Sequence, residues 1–216
     1  MPKQFVKLFS DKSLFQLTIE RNSKLCDSQF IVSNSEQYFL ALDQLEDLNK
    51  VNNRYLLEPI GRNTAPAIAL ACMALDKDEI VLVTPSDHLI KNEIEYGEVL
   101  NKAKELANNN YLITFGITPT SAEIGFGYIE SDGFNVKAFH EKPDLNTVTQ
   151  YLKAGNYYWN SGMFCFKAGV FLEELKKYSS EIYIKSLNAF ENANKENIIR
   201  INHDDMLSIP EDSIDY

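Results

Sequence analysis

Short apolar runs rich in β-branched residues alternate along this chain with helix-length segments, and this alternation limits the possible folds more than any other feature. The runs predicted as strands are 30–32, 55–57, 80–84, 112–115, 128–130, 136–139 and 163–166. The segments predicted as helices are 13–24, 35–47, 64–76, 93–107, 145–154, 168–178 and 180–193. This alternation predicts a mixed, mainly parallel α/β sheet flanked by helices, with ligands bound at the carboxyl ends of the strands.

The chain is acidic, and its length and apolar content predict one domain, 1–216, with a sizeable buried core. Its net charge of −10 argues against nucleic-acid binding, because such proteins neutralise phosphates with basic patches and no Lys/Arg run occurs here. No stretch approaches the roughly 18 apolar residues of a membrane helix, and we expect a cytoplasmic protein without a membrane partner. Cys26, Cys72 and Cys165 are predicted to be reduced core residues, and the polar tail from Asn192 onward to be the least ordered part.

A turn motif follows the second predicted strand and reads Glu-Pro-Ile-Gly-Arg-Asn-Thr-Ala-Pro-Ala over 58–67. Asn63 or Thr64 can cap the helix that follows, so one interpretation is a plain strand-to-helix loop. The functional interpretation is that Glu58 accepts hydrogen bonds from the N1–H and amino group of a guanine edge. Backbone groups near Gly61 and Asn63 would then complete a base-binding site.

Two acidic residues are candidate metal ligands. Asp87 stands in a Pro-Ser-Asp-His motif at the end of a fully apolar strand, where a carboxylate suits Mg²⁺; the alternative is a simple helix cap. His88 is predicted to pack beside it, since Mg²⁺ prefers oxygen ligands. Asp215 could return to the same metal, and the alternative is a disordered acidic tail.

Three further motifs carry groups suited to a sugar phosphate. Gly125 and Gly127 flank an aromatic residue at a strand start, where they let a ligand approach the backbone; the alternative is a bulge or hairpin turn. Strand alternation would send Glu141 toward sugar hydroxyls and Lys142 to the opposite face toward phosphate, the alternative being a solvated charge pair. Asn160 offers a donor and acceptors to a sugar, or forms an Asx turn.

Together and in this order, the motifs resemble those of bacterial mannose-1-phosphate guanylyltransferases, including the form fused to a mannose-6-phosphate isomerase domain. The matching blocks are 58–67, 85–88, 139–143, 160–164 and 213–216. The resemblance implies a GT-A-like, Rossmann-like nucleotidyltransferase fold and an enzyme of GDP-mannose and polysaccharide biosynthesis. Such an enzyme converts GTP and mannose 1-phosphate into GDP-mannose and pyrophosphate with Mg²⁺.

The resemblance also assigns roles to residues of this chain. It implies that Asp87 and Asp215 hold the metal and that residues 58–64 bind guanine. It implies that the mannose-phosphate contacts come from Gly127, Glu141, Lys142 and Asn160. Lys3 and Lys142 would add positive charge while a sugar-phosphate oxygen attacks the GTP α-phosphorus in line. The oligomeric state stays open, a homodimer included.

One family feature is absent from this sequence. The family has a glycine-rich strand and turn before the segment that matches Pro2 to Phe5, and no substitute occurs here. We therefore expect a fragment that lacks the first strand and the triphosphate-binding loop, with exposed apolar edges, marginal stability and little activity. A non-catalytic nucleotide-sugar-binding module is the alternative. A metal-dependent glycosyltransferase is disfavoured, because Asp87-His88 stands where such enzymes carry Asp-x-Asp.

Overall fold

Two separate sheets organise the computed structural model, which describes residues 1–50 and 53–215. The strands are β1 (Phe30–Asn34), β2 (Arg54–Glu58), β3 (Ile80–Val83), β4 (Ile113–Ile117), β5 (Tyr128–Asp132), β6 (Asn135–His140), β7 (Tyr157–Lys167) and β8 (Ile199–Arg200). The helices are α1 (Leu14–Asn22), α2 (Tyr38–Asp47), α3 (Thr64–Met73), α4 (Glu93–Asn108), α5 (Leu145–Ala154), α6 (Ala168–Tyr178), α7 (Ser180–Glu191) and α8 (His203–Ser208), with a 3-10 turn at Lys3–Phe5. Tyr216, the last residue of the 213–216 block, lies outside the described residues.

The first sheet is wholly parallel, with strand order β1-β2-β8. On one face Ile31 packs against a cluster that includes Phe15 and Ile19 of α1. On the other face Leu56 belongs to a cluster with Leu70 of α3 and side chains of α7 and α8. Helices therefore cover both faces, which is the arrangement expected for parallel strands.

The second sheet is antiparallel and is built around the eleven-residue strand β7. Strands β3, β4 and β5 all pair with β7, and β6 pairs with β5 as a hairpin. The prediction of a mixed α/β nucleotidyltransferase fold is confirmed, and its parallel part is the first sheet. The predicted strand 163–166 is only the second half of β7.

The segment from Asn192 to Asp215 is folded, so the prediction that the tail from Asn192 onward is the least ordered part is wrong. Strand β8 pairs with Leu56 and Leu57 of β2. Met206 of α8 and Ile209 are completely buried against the first sheet. These few apolar residues anchor an otherwise polar segment, because each fills a site in an existing core.

A large cavity lies between the two sheets. Strand β1 is the edge of the first sheet and β3 is the edge of the second, and every residue of both strands lines one cavity of about 980 Å³. β1 pairs only with β2 and β3 only with β7, so within the described ranges the side of each strand that faces the cavity has no strand partner. Two apolar strand edges are therefore unpaired inside the fold.

In the described part of the chain, no helix combines the length and apolar character needed to cross a membrane. Cys26, Cys72 and Cys165 are free thiols, as predicted, although Cys26 is only half-buried.

Candidate functional site

The turn after β2 begins α3 with a side-chain cap. Asn63 has a φ of 67° and its side chain accepts a hydrogen bond from the backbone N–H of Thr64 at 2.9 Å. Asparagine tolerates this left-handed conformation better than most residues. The predicted helix start is therefore confirmed, with Asn63 as the capping residue.

Glu58, the last residue of β2, has one carboxyl oxygen that its surroundings leave without a hydrogen bond. Its Oε1 atom is buried and has no hydrogen-bond partner among the described residues. Burial raises the pKa of Glu58 to about 7, because a buried carboxylate loses its hydration. The side chain lines the large cavity together with Gly61 and Thr64. A ligand with hydrogen-bond donors could satisfy it there.

The acidic tail, residues 211–215, contacts the first turn of α3. The backbone N–H of Ile214 donates to Thr64 Oγ1 at 3.0 Å, and the hydroxyls of Thr64 and Ser213 lie 2.9 Å apart. Asp212 contributes its carbonyl to the N–H of Ala65 at 3.2 Å. These contacts rule out the alternative of a disordered acidic tail.

Asp215 reaches the group of residues assigned to the sugar. Its carboxylate accepts hydrogen bonds from the side chains of Asn160 and Ser213. Asn160 also donates its backbone N–H to the carbonyl of Gly127 at 2.8 Å, and a Cβ added at Gly127 would lie 3.1 Å from Glu141 Oε2. Residues that are far apart in sequence therefore meet around one point, as their assignment requires.

The space that these residues enclose is small. Gly127, Glu141, Asn160 and Asp215 line a pocket of about 20 Å³, which is room for about one water molecule. A hexose needs more space, so side chains at this point have to change partners before a sugar can bind.

The prediction that Glu141 and Lys142 point to opposite faces of a strand is wrong. Strand β6 ends at His140, and Lys142 adopts a φ of 38°, so alternation stops before the pair. Lys142 Nζ instead lies 2.7 Å from Glu141 Oε1, with both side chains well exposed. The two groups assigned to phosphate and sugar are joined in a solvated ion pair, which was the alternative interpretation.

Asp87 lies in the turn after β3 and begins no helix, so the helix-cap alternative is wrong. Its carboxylate binds Lys3 Nζ at 2.7 Å and lies 4.0 Å from His88 Nε2. Burial opposes ionisation of Asp87, but the hydrogen bond and charge of Lys3 outweigh it and hold the pKa below its usual value. Burial lowers the pKa of His88.

A series of contacts connects the carboxyl ends of β2 and β3. Pro85 lies just before the Asp87 turn and would be 3.6 Å from a Cβ added at Gly162. The backbone N–H of Gly162 donates to Asn160 Oδ1 at 3.0 Å, and Asn160 binds Asp215 of the tail. The tail then contacts Thr64 after β2. The predicted base, sugar and metal residues therefore lie along one edge of the fold.

The carboxylates fit Mg²⁺ by their chemistry. This ion is commonly held by one or two carboxylates with the remaining positions taken by phosphate and water. Among residues 1–50 and 53–215 no group of three His, Cys, Asp or Glu side chains could hold a metal. Asp87 and Asp215 are each bonded within the protein, so their joint role as ligands stays a prediction.

Two residues with structural importance at this edge, Arg62 and Ser213, were given no individual role by the sequence analysis. Arg62 donates from Nε to the carbonyl of Ile209 at 2.6 Å and so ties the turn after β2 to the segment after α8. Ser213 joins Thr64 to Asp215. Both residues lie inside the sequence blocks that carry the resemblance, and this position was the only sequence signal that could have pointed to them.

The fold and this edge define a class of protein, and comparison with known proteins agrees. The chain belongs to the nucleotidyl transferase family, whose family model matches residues 1–203. The predicted resemblance to mannose-1-phosphate guanylyltransferases, and hence to enzymes, is confirmed by the relatives described next.

Two curated relatives carry that name. Mannose-1-phosphate guanylyltransferase RfbM of Salmonella typhimurium is 43% identical over 228 residues, covering 100% of this chain and 48% of that protein. Mannose-1-phosphate guanylyltransferase of Escherichia coli K12 is 41% identical over 232 residues, with coverages of 100% and 48%. The chain thus spans about half the length of these relatives. A solved structure titled mannose-6-phosphate isomerase from Helicobacter pylori is 44% identical with a TM-score of 0.94, covering 99% of this chain and 87% of that one.

Proposed function

We propose that this chain is the nucleotidyltransferase part of a protein that converts GTP and mannose 1-phosphate into GDP-mannose and pyrophosphate. The similarity to guanylyltransferases over the whole chain supports the reaction. The unsatisfied buried carboxyl of Glu58 is the single observation that carries the choice of a guanine nucleotide. We further infer that the protein acts in the cytoplasm.

Guanine recognition follows from the hydrogen-bonding capacity of Glu58. A carboxylate has only acceptors, and the N1–H and 2-amino group of guanine offer two adjacent donors. Adenine presents an acceptor at N1, so it cannot make the same pair of bonds. Because burial raises the pKa of Glu58 to about 7, binding of guanine has to draw the carboxyl into its ionised form.

Sugar binding uses the group around Gly127. Asn160 and Glu141 provide a donor and acceptors for hydroxyl groups, and a glycine at 127 leaves room for close approach to the backbone. Lys142 would turn from Glu141 toward the phosphate of the sugar. The exposed ion pair costs little to exchange, since such pairs contribute only about 0–1 kcal/mol.

The reaction needs positioning and charge neutralisation, and no covalent intermediate. A sugar-phosphate oxygen attacks the α-phosphorus of GTP, and the bond to the β,γ-diphosphate breaks to release pyrophosphate. Lys3 and Lys142 add positive charge near the phosphates. Asp87 and Asp215 would hold Mg²⁺, which when bound neutralises charge on the phosphate oxygens.

A non-catalytic nucleotide-sugar-binding module is the second candidate. The ion pair between Lys3 and Asp87 favours it, because this contact occupies a carboxylate that the metal of a transferase would need.

Pyrophosphate release and calorimetry separate the two candidates. Purified chain is mixed with GTP, mannose 1-phosphate and Mg²⁺ while pyrophosphate is followed, with ATP in place of GTP as the control. Pyrophosphate formed from GTP and not from ATP supports the transferase. Heat of GDP-mannose binding without turnover supports the binding module. If neither GTP nor GDP-mannose binds, both proposals are wrong.

A further inference from the structure

Ser213 lies in a tail that backbone contacts fix to the first turn of α3. On one side of it, the carbonyl of Asp212 accepts a hydrogen bond from the N–H of Ala65 at 3.2 Å. On the other side, the N–H of Ile214 donates to Thr64 Oγ1 at 3.0 Å, and the Ile214 side chain packs on the apolar cluster of α3, α6 and β7. The residues that flank Ser213 are therefore held in place, and its hydroxyl has a defined position.

The hydroxyls of Ser213 and Thr64 belong to a series of hydrogen bonds with a single direction. A carboxylate has only acceptors, so the Ser213 hydroxyl donates its one hydrogen to Asp215 Oδ1. The Thr64 hydroxyl, 2.9 Å away, therefore has to donate its own hydrogen to Ser213 Oγ. Thr64 Oγ1 in turn accepts from the N–H of Ile214. We call this series, which ends on the Asp215 carboxylate, the hydroxyl chain; each bond in it polarises the next.

Asp215 lies where the two parts of the candidate site meet. It lines the large cavity together with Glu58 and Thr64. It also lines the small pocket together with Gly127 and Asn160. The hydroxyl chain therefore leads from the start of α3, directly after the base-binding turn, to a carboxylate beside the sugar pocket.

The other oxygen of Asp215 accepts a hydrogen bond from Asn160. The orientation of this amide is fixed, because its Oδ1 accepts from the N–H of Gly162 at 3.0 Å and its Nδ2 therefore faces Asp215. Asn160 is also a proposed sugar ligand, and the small pocket admits a sugar only after side chains change partners. When Asn160 turns to a sugar, the Ser213 hydroxyl still holds the carboxylate.

We propose that Ser213 and Thr64 are positioning residues, which hold the Asp215 carboxylate in place for the divalent cation while Asn160 binds the sugar. This inference rests on the proposed function, in which Asp215 is a metal ligand. Hydrogen bonds of this kind orient a ligating carboxylate, and their loss commonly weakens metal binding by about 10–100-fold.

The charge of the partners distinguishes Asp215 from Asp87. Asp87 is paired with the ammonium group of Lys3 at 2.7 Å, which cancels part of its charge until the lysine moves away. The Ser213 hydroxyl is uncharged, so it orients Asp215 without cancelling the negative charge that attracts a cation. The hydroxyl chain can therefore stay intact when a metal binds.

Calorimetry of the whole chain measures the effect, as the gain in GDP-mannose affinity that Mg²⁺ produces. We expect Ser213→Ala to reduce this gain by about tenfold. Its affinity for GDP-mannose without Mg²⁺ should equal that of wild type, whereas damage to the fold would lower both affinities. With GDP as the ligand the loss should be smaller, because Asn160 then still holds the other oxygen of Asp215.

Matched variants separate the hydroxyl groups from the fold. Ser213→Thr and Thr64→Ser keep the hydroxyls, and their Mg²⁺ gain should stay within about threefold of wild type. Ser208→Ala and Thr149→Val remove hydroxyls that donate to backbone carbonyls of α8 and α5, and should leave the gain unchanged. Because Thr64 is exposed, Thr64→Val should lower the melting temperature by no more than about 4 °C.

The direction of the hydroxyl chain adds a test that needs no metal. Thr64→Val removes the acceptor of the Ile214 N–H, so hydrogen exchange at that amide should become faster in the free protein. Ser213→Ala leaves this acceptor in place and should keep the amide protected. Since Thr64 acts on Asp215 through Ser213, the double variant should lose no more of the Mg²⁺ gain than Ser213→Ala alone.

Four results would overturn the proposal. An unchanged Mg²⁺ gain in Ser213→Ala would leave the proposed function standing and remove the role of the hydroxyl. Equal losses of affinity with and without Mg²⁺ would mean that Ser213 has only a structural role. Wild-type chain that binds GDP-mannose with no gain from Mg²⁺ would remove the metal role of Asp215. Failure of wild type to bind GDP-mannose at all would reject the proposed function as well.

Discussion

The candidate site has a base side, at Glu58, and a sugar-phosphate side, formed by the charged residues assigned to sugar, phosphate and metal. The two sides differ in whether their charged groups already have partners within the protein. At the base side the buried Glu58 carboxyl has an unsatisfied oxygen and a pKa raised to about 7. At the sugar-phosphate side every assigned charge has a protein partner. Lys3 binds Asp87, Lys142 binds Glu141 and Asp215 binds Asn160.

This difference indicates which ligand groups cost free energy to bind and which recover it. An unsatisfied buried acceptor already carries a cost of roughly 1–3 kcal/mol in the free protein, and a guanine that satisfies it recovers that energy. Paired charges have no such stored cost, so phosphate, sugar and metal must each displace an existing contact. The comparison predicts that the base binds first and that phosphate groups rearrange the other side afterwards.

Removing the Asp87 carboxylate tests the sugar-phosphate side most strongly. We expect Asp87→Asn to reduce Mg²⁺-dependent pyrophosphate formation by about 10³-fold or more, because the metal supplies several kcal/mol of charge stabilisation. Loss of the Mg²⁺-dependent gain in GTP affinity is a second readout. Asp204→Asn removes a fully exposed carboxylate of α8 and should change neither quantity. Unchanged metal dependence in Asp87→Asn would mean that Asp87 is not a ligand.

The pH dependence of stability tests the base side without any ligand. Since burial raises the pKa of Glu58 from 4.5 to about 7, its contribution to stability is fully present below pH 4.5 and is lost as the pH rises through about 7. The expected loss is roughly 3 kcal/mol in the free energy of unfolding. Urea titrations over this range should show a smaller loss in Glu58→Gln than in wild type. Glu98→Gln, on an exposed face of α4, is the control and should keep the wild-type slope.

Nucleotide selectivity tests the same carboxyl with its ligand. We expect Glu58→Gln to weaken GTP binding by about 10–100-fold, equivalent to roughly 1–3 kcal/mol, and to leave the weak binding of ATP unchanged. Wild-type affinity for GTP should also rise with pH up to about 7, because guanine binds the ionised carboxylate. Calorimetry at several pH values measures both effects. A variant that still prefers GTP to ATP as strongly as wild type would move base recognition elsewhere.

Breaking the Lys142–Glu141 pair should have the smallest effect on stability. Both side chains are well exposed, so Lys142→Met should change the free energy of unfolding by less than about 1 kcal/mol. Its affinity for mannose 1-phosphate should nevertheless fall about tenfold, because a charged hydrogen bond to phosphate is lost. Lys177→Met disrupts a similarly exposed pair with Glu174 and should leave mannose 1-phosphate binding unchanged. Equal sugar-phosphate binding in both variants would exclude Lys142 from the site.

Local signals in the sequence predicted much of the fold. The predicted bounds of α5 and α6 match the structure to the residue. In α5 both ends carry a local signal, since Asp144 caps the start and Gly155 ends the helix. The start of α3 after Asn63 was predicted for the same reason. These features depend on residues within one or two turns of each other.

The misses share a non-local cause. The first half of β7 mixes polar residues with Gly162, and it forms a strand because β4 and β5 pair with it on both sides. Strand β8 has only two residues and depends on its pairing with β2. The prediction that Glu141 and Lys142 point to opposite faces failed because β6 ends at His140 and the backbone of Lys142 leaves the strand conformation. Sequence periodicity reports which face a residue occupies, and it carries no information on which strands become neighbours.

The pairing pattern of the sheets also constrains how the chain folds during synthesis. Ile80 of β3 pairs with Lys167 of β7, and Leu56 of β2 pairs with Ile199 of β8. Neither sheet can complete its strand pairing until residues 167 and 199 have been synthesised. Until then, the helices formed earlier expose their apolar faces to solvent. During this interval the exposed apolar faces are open to chaperones that bind such surfaces, until β7 and β8 pair with their partners.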